Sequence, residues 1–260
     1  MKSRYFIRLS FLGTRYQGWQ KQKNGPSVQA ALSDALSVVG REMVDVTGAG
    51  RTDSGVHARE FYAHFDGRPM CKKERDEMVF HLNGYLPYDI AVQQIIPVVS
   101  EAHARFSAVS RTYEYVITTR KNPFLEGLAY FYPGFLDIGK MNKGTDVLKL
   151  NDDFTSFSKL PSDAKTNICR ITEIYWEQKG DLLVFSITAN RFLRNMVRAI
   201  VGTLLDLGRG KIEIPDLHEI IRKRDRRTAG YSVPACGLYL TKVIYPGEIF
   251  LNDSEPIQMY

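Results

Sequence analysis

The apolar residues of this chain change their spacing in an order that restricts the fold. They alternate over residues 4–12, as in a strand with one buried face, and recur at helical spacing over residues 28–39, between the N-cap residue Ser27 and Gly40. Further patterns predict strands over residues 43–47, 60–65 and 90–98 and a helix over residues 72–83. The order strand, helix, strand, strand, helix, strand is typical of the split βαβ or ferredoxin-like arrangement.

The second half of the chain repeats this order loosely. The patterns predict strands over residues 113–119, 171–178, 182–189 and 238–245 and helices over residues 141–150, 192–207 and 215–224. We therefore expect an α+β protein with two ferredoxin-like halves, residues 1–105 and 106–247, followed by a tail, residues 248–260. Two such halves can join into one broad, mainly antiparallel sheet. Residues 122–139 fit no period, and we expect them to form a loop.

Basic residues are concentrated in two parts of the chain. The formal net charge is +6, from 35 basic and 29 acidic residues. The first 24 residues contain six Lys and Arg and no acid, and residues 191–227 contain ten basic and five acidic residues. If the fold brings these two parts together, they would form a basic surface suited to phosphate groups. Solvated side chains scattered over the surface would explain the same counts.

The cysteines and the apolar runs indicate the compartment. Cys71, Cys169 and Cys236 lie far apart without a CxxC pair, which is typical of free thiols in a reducing cell. No apolar run approaches the roughly 18 residues of a membrane span. These features predict a cytoplasmic protein that does not bind a membrane.

The histidines do not indicate a metal site. His57, His64 and His103 lack the spacing of metal ligands, and no cluster of carboxylates accompanies them. We therefore expect neither a metal nor another cofactor. His57 is expected to be a hydrogen-bonded structural residue.

The segment at residues 48–58, Gly-Ala-Gly-Arg-Thr-Asp-Ser-Gly-Val-His-Ala, is the most informative in the chain. Its three glycines allow positive φ and a close approach of the backbone to a ligand, and Arg51 and Asp53 place opposite charges two residues apart. A glycine-rich hairpin in which Asp53 caps its own turn explains the same pattern. A nucleotide P-loop is excluded, because no Lys-Ser or Lys-Thr pair follows the last glycine and no helix pattern follows the segment.

This segment resembles the signature of the bacterial tRNA pseudouridine synthase A family, whose usual form has alanine in place of Ser54. Four other parts of the chain are similar to family segments in the same order. They are residues 11–20 with 27–29, residues 111–115, residues 192–202 and residues 234–238. Val233 stands where the family usually has alanine.

The resemblance implies a pseudouridine synthase fold and the isomerisation of uridine to pseudouridine in the anticodon stem-loop of tRNA, at positions 38 to 40. It also implies a homodimer, in which one subunit helps to position the RNA for the other. Asp53 corresponds to the essential carboxylate. This reaction breaks the glycosidic bond, rotates the uracil and forms a carbon-carbon bond. A carboxylate can attack covalently or remove a proton from the sugar, and the sequence leaves both routes open.

A carboxylate in a site closed to water needs a cationic partner, because a buried unpaired charge costs several kcal/mol. The resemblance points to Arg198. If residues 192–207 are helical throughout, Arg191, Arg194 and Arg198 lie along one face, and the apolar neighbours of Arg198 suggest that it is partly buried. The alternative is that all three are solvated.

A uridine stacked in RNA must be swung out before it can react. By resemblance, Arg51 is the wedge or phosphate anchor, and its neighbours Gly50 and Thr52 belong to the substrate-binding segment. Tyr113, preceded by Arg111, is expected to stack on the extruded uracil, a contact worth about 1 to 3 kcal/mol. A tyrosine in a strand is otherwise more often part of the core.

The aromatic residues after the first strand allow two interpretations. Tyr16, Trp19 and Gln20 either contact RNA or cover the end of the sheet, and contact is slightly favoured.

Two other classes of protein remain to be weighed. A non-catalytic RNA-binding protein of the RRM type also combines split βαβ halves with basic strands, although RNP-like aromatic motifs are not evident. A metal-dependent nuclease is disfavoured, because it would need several clustered carboxylates where the glycine-rich segment offers one.

Overall fold

The structure is a computed structural model that describes residues 2–23, 25–159 and 166–251. By spatial contact the chain divides into two compact units. Unit 1 comprises Met1–Val109 and Leu240–Tyr260, and unit 2 comprises Ser110–Tyr239. The division into continuous halves at residues 105 and 106 stays a prediction, and the expected tail lies outside the described residues from position 252 onward.

The strands and helices follow one another in this order: β1 (Ser3–Phe11), α1 (Val28–Gly40), β2 (Thr47–Gly48), β3 (His57–Gly67), α2 (Lys72–Tyr85), β4 (Ile90–Val98), β5 (Ser110–Thr118), β6 (Tyr130–Phe131), α3 (Ile138–Lys149), β7 (Ile171–Lys179), β8 (Leu182–Ala189), α4 (Met196–Gly208), α5 (Ile214–Lys223) and β9 (Leu238–Ile244). Short 3-10 turns connect several of them.

Unit 1 is built on the strand order β4-β1-β3-β9, with β2 paired to β3. β1 runs antiparallel to both β3 and β4. The expected single buried face of β1 is wrong at its centre, because Phe6 and Ile7 point to opposite faces and both are fully buried. Phe6 packs edge-to-face against Tyr245 and Phe250, so the segment after β9 covers the second face.

The first helix forms as the sequence predicts. The Ser27 hydroxyl accepts a 3.2 Å hydrogen bond from the Ala30 N–H, which satisfies one of the free donors at the start of α1. The helix ends at Gly40, and Arg41 after it adopts the left-handed conformation with φ of 55°. Leu32 and Leu36 are buried on the same face.

The strand predicted over residues 43–47 is wrong except at its end, because only Thr47 and Gly48 pair with β3. Side chains of α1 bond the backbone of this segment instead. The Val44 N–H donates to Ser37 Oγ at 3.0 Å, and Gln29 Nε2 donates to the Val46 carbonyl at 2.8 Å. The segment therefore alternates in burial without belonging to the sheet.

Unit 2 contains the strand order β5-β8-β7, all antiparallel, with the short β6 parallel to β5. Eleven of the thirteen residues of α4 are buried, so nearly the whole surface of this helix packs inside the protein. The α3 residue Asn142 exchanges two hydrogen bonds with the backbone of Trp176 on β7, which fixes α3 to the edge of the sheet.

The helix predicted over residues 192–207 begins later than expected, at Met196. Asn195 has a φ of 64°, a left-handed conformation that an α-helix cannot continue through. Arg191 and Arg194 therefore precede the helix and do not share a helical face with Arg198. The predicted alignment of the three arginines is wrong.

The expected α+β fold with mainly antiparallel strands is confirmed, and each unit contributes its own strands and helices. Within the described ranges, every helix is too short or too polar to cross a membrane.

Candidate active site

Asp53 lies in unit 1 on the connection between β2 and β3. The Val56 N–H donates a 3.2 Å hydrogen bond to the Asp53 carbonyl and closes a tight turn. Gly55 has a φ of 79°, which a residue with a side chain adopts only with strain, so the turn requires glycine at this position. The Asp53 side chain is half-buried.

Residues 13–19 hold this loop through four hydrogen bonds. The Trp19 N–H donates to Thr52 Oγ1 at 3.0 Å, and the Gly13 N–H donates to His57 Nδ1 at 3.0 Å. The Gly55 N–H and Ser54 Oγ both donate to the Tyr16 carbonyl at 3.3 Å. Residues 11–20 and 48–58, the two segments that resemble the family in this part of the chain, therefore hold each other in place. The departure at Ser54 also has a consequence, since alanine could not make its side-chain bond.

The two backbones approach too closely for side chains at two glycines. A Cβ at Gly13 would lie 2.0 Å from the Val56 carbonyl oxygen, and one at Gly18 would lie 2.2 Å from that of Thr52. Gly18 also has a φ of 88°. These glycines bring the chain against the Asp53 loop on both sides, and the spacing pattern alone did not single them out.

His57 is fully buried and accepts the Gly13 bond, so its predicted structural role is confirmed. Trp19 is only 1% exposed and stacks on Phe61 with 4.2 Å between ring centroids. The faces of its ring pack in the core, as expected for a residue that covers the end of the sheet, and a contact between Trp19 and RNA stays a prediction.

Tyr16 is also buried, and Gln20 is exposed. The Tyr16 hydroxyl donates to Asp89 at 2.6 Å. Burial first, and then the Asp89 carboxylate, raise the pKa of Tyr16 above its usual value. Tyr16 therefore stays neutral and ties the segment of residues 13–19 to the start of β4.

Arg51 is exposed on the same loop, two residues before Asp53. It borders a small cleft of about 130 Å³ together with Gly50. The Arg51 side chain is therefore accessible from solvent.

In unit 2, Arg198 is held by the chain around Val233. Arg198 Nε donates a 2.7 Å hydrogen bond to the Val233 carbonyl, and the Val233 N–H donates to the Arg198 carbonyl at 3.3 Å. Arg198 is half-buried on α4, as its apolar neighbours suggested. Since backbone atoms of Val233 make both contacts, the substitution of valine for the usual alanine leaves them intact.

The start of β5 joins the same group of residues. The Tyr115 hydroxyl donates to the Pro234 carbonyl at 2.8 Å. A Cβ at Gly237 would lie 2.8 Å from the Tyr115 ring and from the Val116 carbonyl oxygen. Three segments that resemble the family therefore meet inside unit 2.

Tyr113 is half-buried at the open end of β5, on the same face as Tyr115. Its ring meets Phe192 edge-to-face, with centroids 5.0 Å apart and an interplanar angle of 83°. Phe192 lies in the segment that was expected to be helical, and its role beside Tyr113 was missed for that reason. Arg111, two residues earlier, donates from Nη1 to the Asn190 carbonyl at 3.2 Å.

The predicted residues are thus distributed between the units. Unit 1 contains Gly50, Arg51, Thr52 and Asp53, whereas unit 2 contains Arg111, Tyr113 and Arg198. In the ranges that the structure describes, no group of three or more His, Cys, Asp or Glu side chains is arranged to hold a metal ion.

Comparison with known proteins identifies the family. The family model described as tRNA pseudouridine synthase matches residues 9–107 and 151–246. The chain belongs to the tRNA pseudouridine synthase family. The two matched parts contain the Asp53 loop and the Arg198 helix.

Individual relatives agree with the family. The tRNA pseudouridine synthase A of Porphyromonas gingivalis is 52% identical over 96% of this chain and 100% of its own length. That of Parabacteroides distasonis is 52% identical over 95% of this chain and 98% of its own. That of Pseudomonas aeruginosa is 39% identical over 96% and 88%. These relatives bear the name of an enzyme, so the alternative of a non-catalytic RNA-binding protein is not supported.

Proposed function

We propose that this chain isomerises uridine to pseudouridine in the anticodon stem-loop of tRNA, at positions 38 to 40, and that Asp53 is its catalytic carboxylate. Membership of the family supports the reaction and its tRNA substrate. The nucleotide positions rest on the resemblance of the five segments. The structural observation that carries the proposal is the clamp of residues 13–19 on the Asp53 loop.

The clamp suits a reaction that depends on the placement of one side chain. Catalysis by a fixed group gains several kcal/mol from orientation, and a displacement of about 1 Å can cost about a hundredfold in rate. Hydrogen bonds on both sides of Asp53, at Thr52 and at Gly55, hold its backbone in place. Both candidate routes, covalent attack and proton removal, need this precision.

Arg198 has the role of the cation that accompanies Asp53. Its bond to the Val233 carbonyl fixes the plane of the guanidinium, so the side chain presents its charge in one orientation. A preorganised cation stabilises charge that develops during reaction without having to reorganise.

The remaining predicted residues bind the nucleotide. Arg51 props the stem-loop or anchors a phosphate after the uridine is extruded, and Tyr113 stacks on the uracil. Gly50 and Thr52 shape the loop on either side of Arg51. Arg111 lies at the same end of β5 as Tyr113 and meets the backbone of the RNA.

The assembly and the compartment complete the proposal. We expect the chain to form a homodimer in the cytoplasm. Sedimentation velocity at micromolar concentration tests the dimer, and a single species with the mass of one chain would refute that part.

The function is tested by mapping pseudouridine in unmodified tRNA transcripts after incubation with the protein. We expect pseudouridine at positions 38 to 40 wherever these are uridines, and none in a transcript with cytidines there. Modification confined to another arm of the tRNA would overturn the assignment of positions. The absence of any pseudouridine would overturn the function.

A further inference from the structure

The small cleft beside Arg51 is lined by charged and polar groups. Its walls, all in unit 1, include two arginines and two glutamines, and the described residues around it contribute no carboxylate. They are Trp19, Gln20, Gln29, Thr47, Arg51 and Arg105, with Gly48 and Gly50 between them. A volume of about 130 Å³ has room for a small anion such as a phosphate group.

The indole edge of Trp19 borders this cleft. Trp19 is 1% exposed, and a Cβ at Gly48 would lie 2.4 Å from its indole Nε1. In the part of the chain that the structure describes, the indole N–H meets no acceptor, although its backbone N–H is bonded to Thr52. Since Trp19 lines the cleft, this N–H can donate a hydrogen bond to an acceptor oxygen of a ligand bound there.

The glycines keep this donor accessible. Any side chain at position 48 would displace the indole edge. At position 50 a Cβ would meet no heavy atom within 4 Å, so this wall stays open to an incoming group.

Side-chain amides fix another part of the wall. Gln29 Oε1 accepts hydrogen bonds from Gln20 Nε2 at 2.9 Å and from the Lys21 N–H at 2.8 Å, and Gln29 Nε2 donates to the Val46 carbonyl at 2.8 Å. These hydrogen bonds therefore fix the shape of this part of the cleft without a ligand.

Arg105 is oriented by its neighbours. Its guanidinium carbon lies 5.4 Å from the centre of the Phe106 ring, and its backbone N–H donates to His103 Nδ1 at 3.1 Å. The Phe106 ring in turn contacts the His103 ring, with centroids 4.4 Å apart. A guanidinium restrained in this way binds an oxyanion with less loss of side-chain entropy.

We propose that this cleft binds one backbone phosphate of the RNA, held by Arg105 and Arg51 and by the indole N–H of Trp19. The inference rests on the proposed function. Because Arg51 stands two residues before Asp53, the phosphate belongs to the backbone close to the reacting nucleotide. Arg105 and Trp19 thereby become RNA-positioning residues, and the buried tryptophan takes part through one edge while its face stays in the core.

The first test compares the binding of an anticodon stem-loop RNA by Arg105→Gln and by a matched control, Arg120→Gln. Arg120 is an exposed arginine of unit 2 that is paired with Asp181, and its replacement removes the same charge. We expect Arg105→Gln to raise the Kd about five- to tenfold and to lower the salt slope of log Kd by about 0.7 to 0.9, the value of one phosphate contact. Arg120→Gln should change neither. Equal effects of the two substitutions would overturn the proposal.

The second test removes the neutral donor. Trp19→Phe keeps a ring against Phe61 but lacks the N–H, and we expect about a threefold rise in Kd without a change in the salt slope.

Since this variant can disturb the core, Thr47→Glu provides an independent probe from the exposed wall, with Thr47→Gln as its neutral counterpart. The carboxylate should weaken binding at least about tenfold more than the amide does. Equal binding by Glu and Gln variants would refute a phosphate in the cleft.

The third test identifies the phosphate. Each phosphate that flanks the target uridine is replaced in turn by an uncharged methylphosphonate. We expect one replacement to weaken binding to the wild-type chain and to have a smaller effect on Arg105→Gln, in which Arg51 still contacts the phosphate. Additive losses at every position would contradict the proposal.

Pseudouridine formation by the wild-type chain on the unmodified RNA separates the phosphate site from the proposed function, because the cleft can fail these tests while the enzyme remains active.

Discussion

The backbone N–H of Trp19 donates a 3.0 Å hydrogen bond to Thr52 Oγ1, one residue before Asp53. This contact joins the segment after β1 to the Asp53 loop, although 33 residues separate the two in sequence. The same tryptophan is anchored in the core by its stacking on Phe61. The position of Asp53 therefore depends on a side-chain hydroxyl that its neighbour contributes.

Replacing Thr52 by valine should loosen this loop. Valine preserves the shape but leaves the Trp19 N–H without its acceptor, which costs about 1 to 3 kcal/mol when the donor is out of water. We expect urea denaturation to show a lower free energy of unfolding and the rate of pseudouridine formation to fall about tenfold or more. Thr52→Ser keeps the hydroxyl and should stay close to wild type in both measurements. A stable and fully active Thr52→Val would show that the bond does not hold the site.

Arg198→Lys should impair the reaction although it keeps the positive charge. Lysine has no counterpart of the Nε that bonds the Val233 carbonyl, so the cation loses its fixed orientation. We expect kcat/KM to fall about a hundredfold, within the range seen when one preorganised donor is removed.

Val233→Ala is the matched control at the same contact. It keeps the backbone carbonyl, so the hydrogen bond of Arg198 remains and kcat/KM should stay within about twofold, while the loss of buried methyl groups lowers stability by about 1 kcal/mol. If Arg198→Lys retained full activity, the orientation of the guanidinium would have no part in catalysis.

The stability of unit 1 should depend on the protonation of His64. This side chain is 8% exposed, and its Nδ1 accepts a hydrogen bond from the Ala104 N–H at 3.1 Å. Burial first, and then the proximity of His103 and Arg4, lower the pKa of His64 from 6.5 to about 4. The unfolded chain therefore binds more protons than the folded chain between these two values, and stability is lost as the pH falls from about 6.5 to about 4.

The expected loss is on the order of 3 kcal/mol, from about 1.4 kcal/mol for each unit of the pKa shift. Urea denaturation from pH 7 to pH 4 measures it. His64→Asn, whose Oδ1 can accept the same backbone bond, should flatten the curve, and substitution of the exposed His218 should not. An unchanged slope in His64→Asn would assign the pH dependence to other groups.

Local pattern predicted those parts of the fold in which neighbouring residues decide the structure. The N-cap at Ser27 and the bounds of β4 follow from local sequence, because a cap and a strand register need only adjacent residues. The failures come from distant contacts. Residues 43–46 leave the sheet because side chains of α1 bond their backbone, and the buried face of Phe6 is created by a segment more than 230 residues away in the sequence.

The sequence predicted the candidate site only in part, as it did the fold. The resemblance indicated Asp53, Arg51, Tyr113 and Arg198, but not the contacts that hold them. Asn195 in the left-handed conformation starts α4 later than its apolar spacing suggests, and a single residue of this kind leaves little trace in a periodic pattern. Trp19 likewise looks like a surface aromatic in the sequence, because the stacking partner Phe61 lies on another strand.

The central claim concerns the carboxylate of Asp53, and Asp53→Asn tests it with the least change in shape. The measurement is the single-turnover rate of pseudouridine formation in a tRNA transcript, with the Kd for the same transcript measured in parallel. We predict that the rate falls at least about a thousandfold, as expected when a group that acts directly in the reaction is removed, while the Kd stays within about threefold. A variant that converts uridine at the wild-type rate would contradict the account.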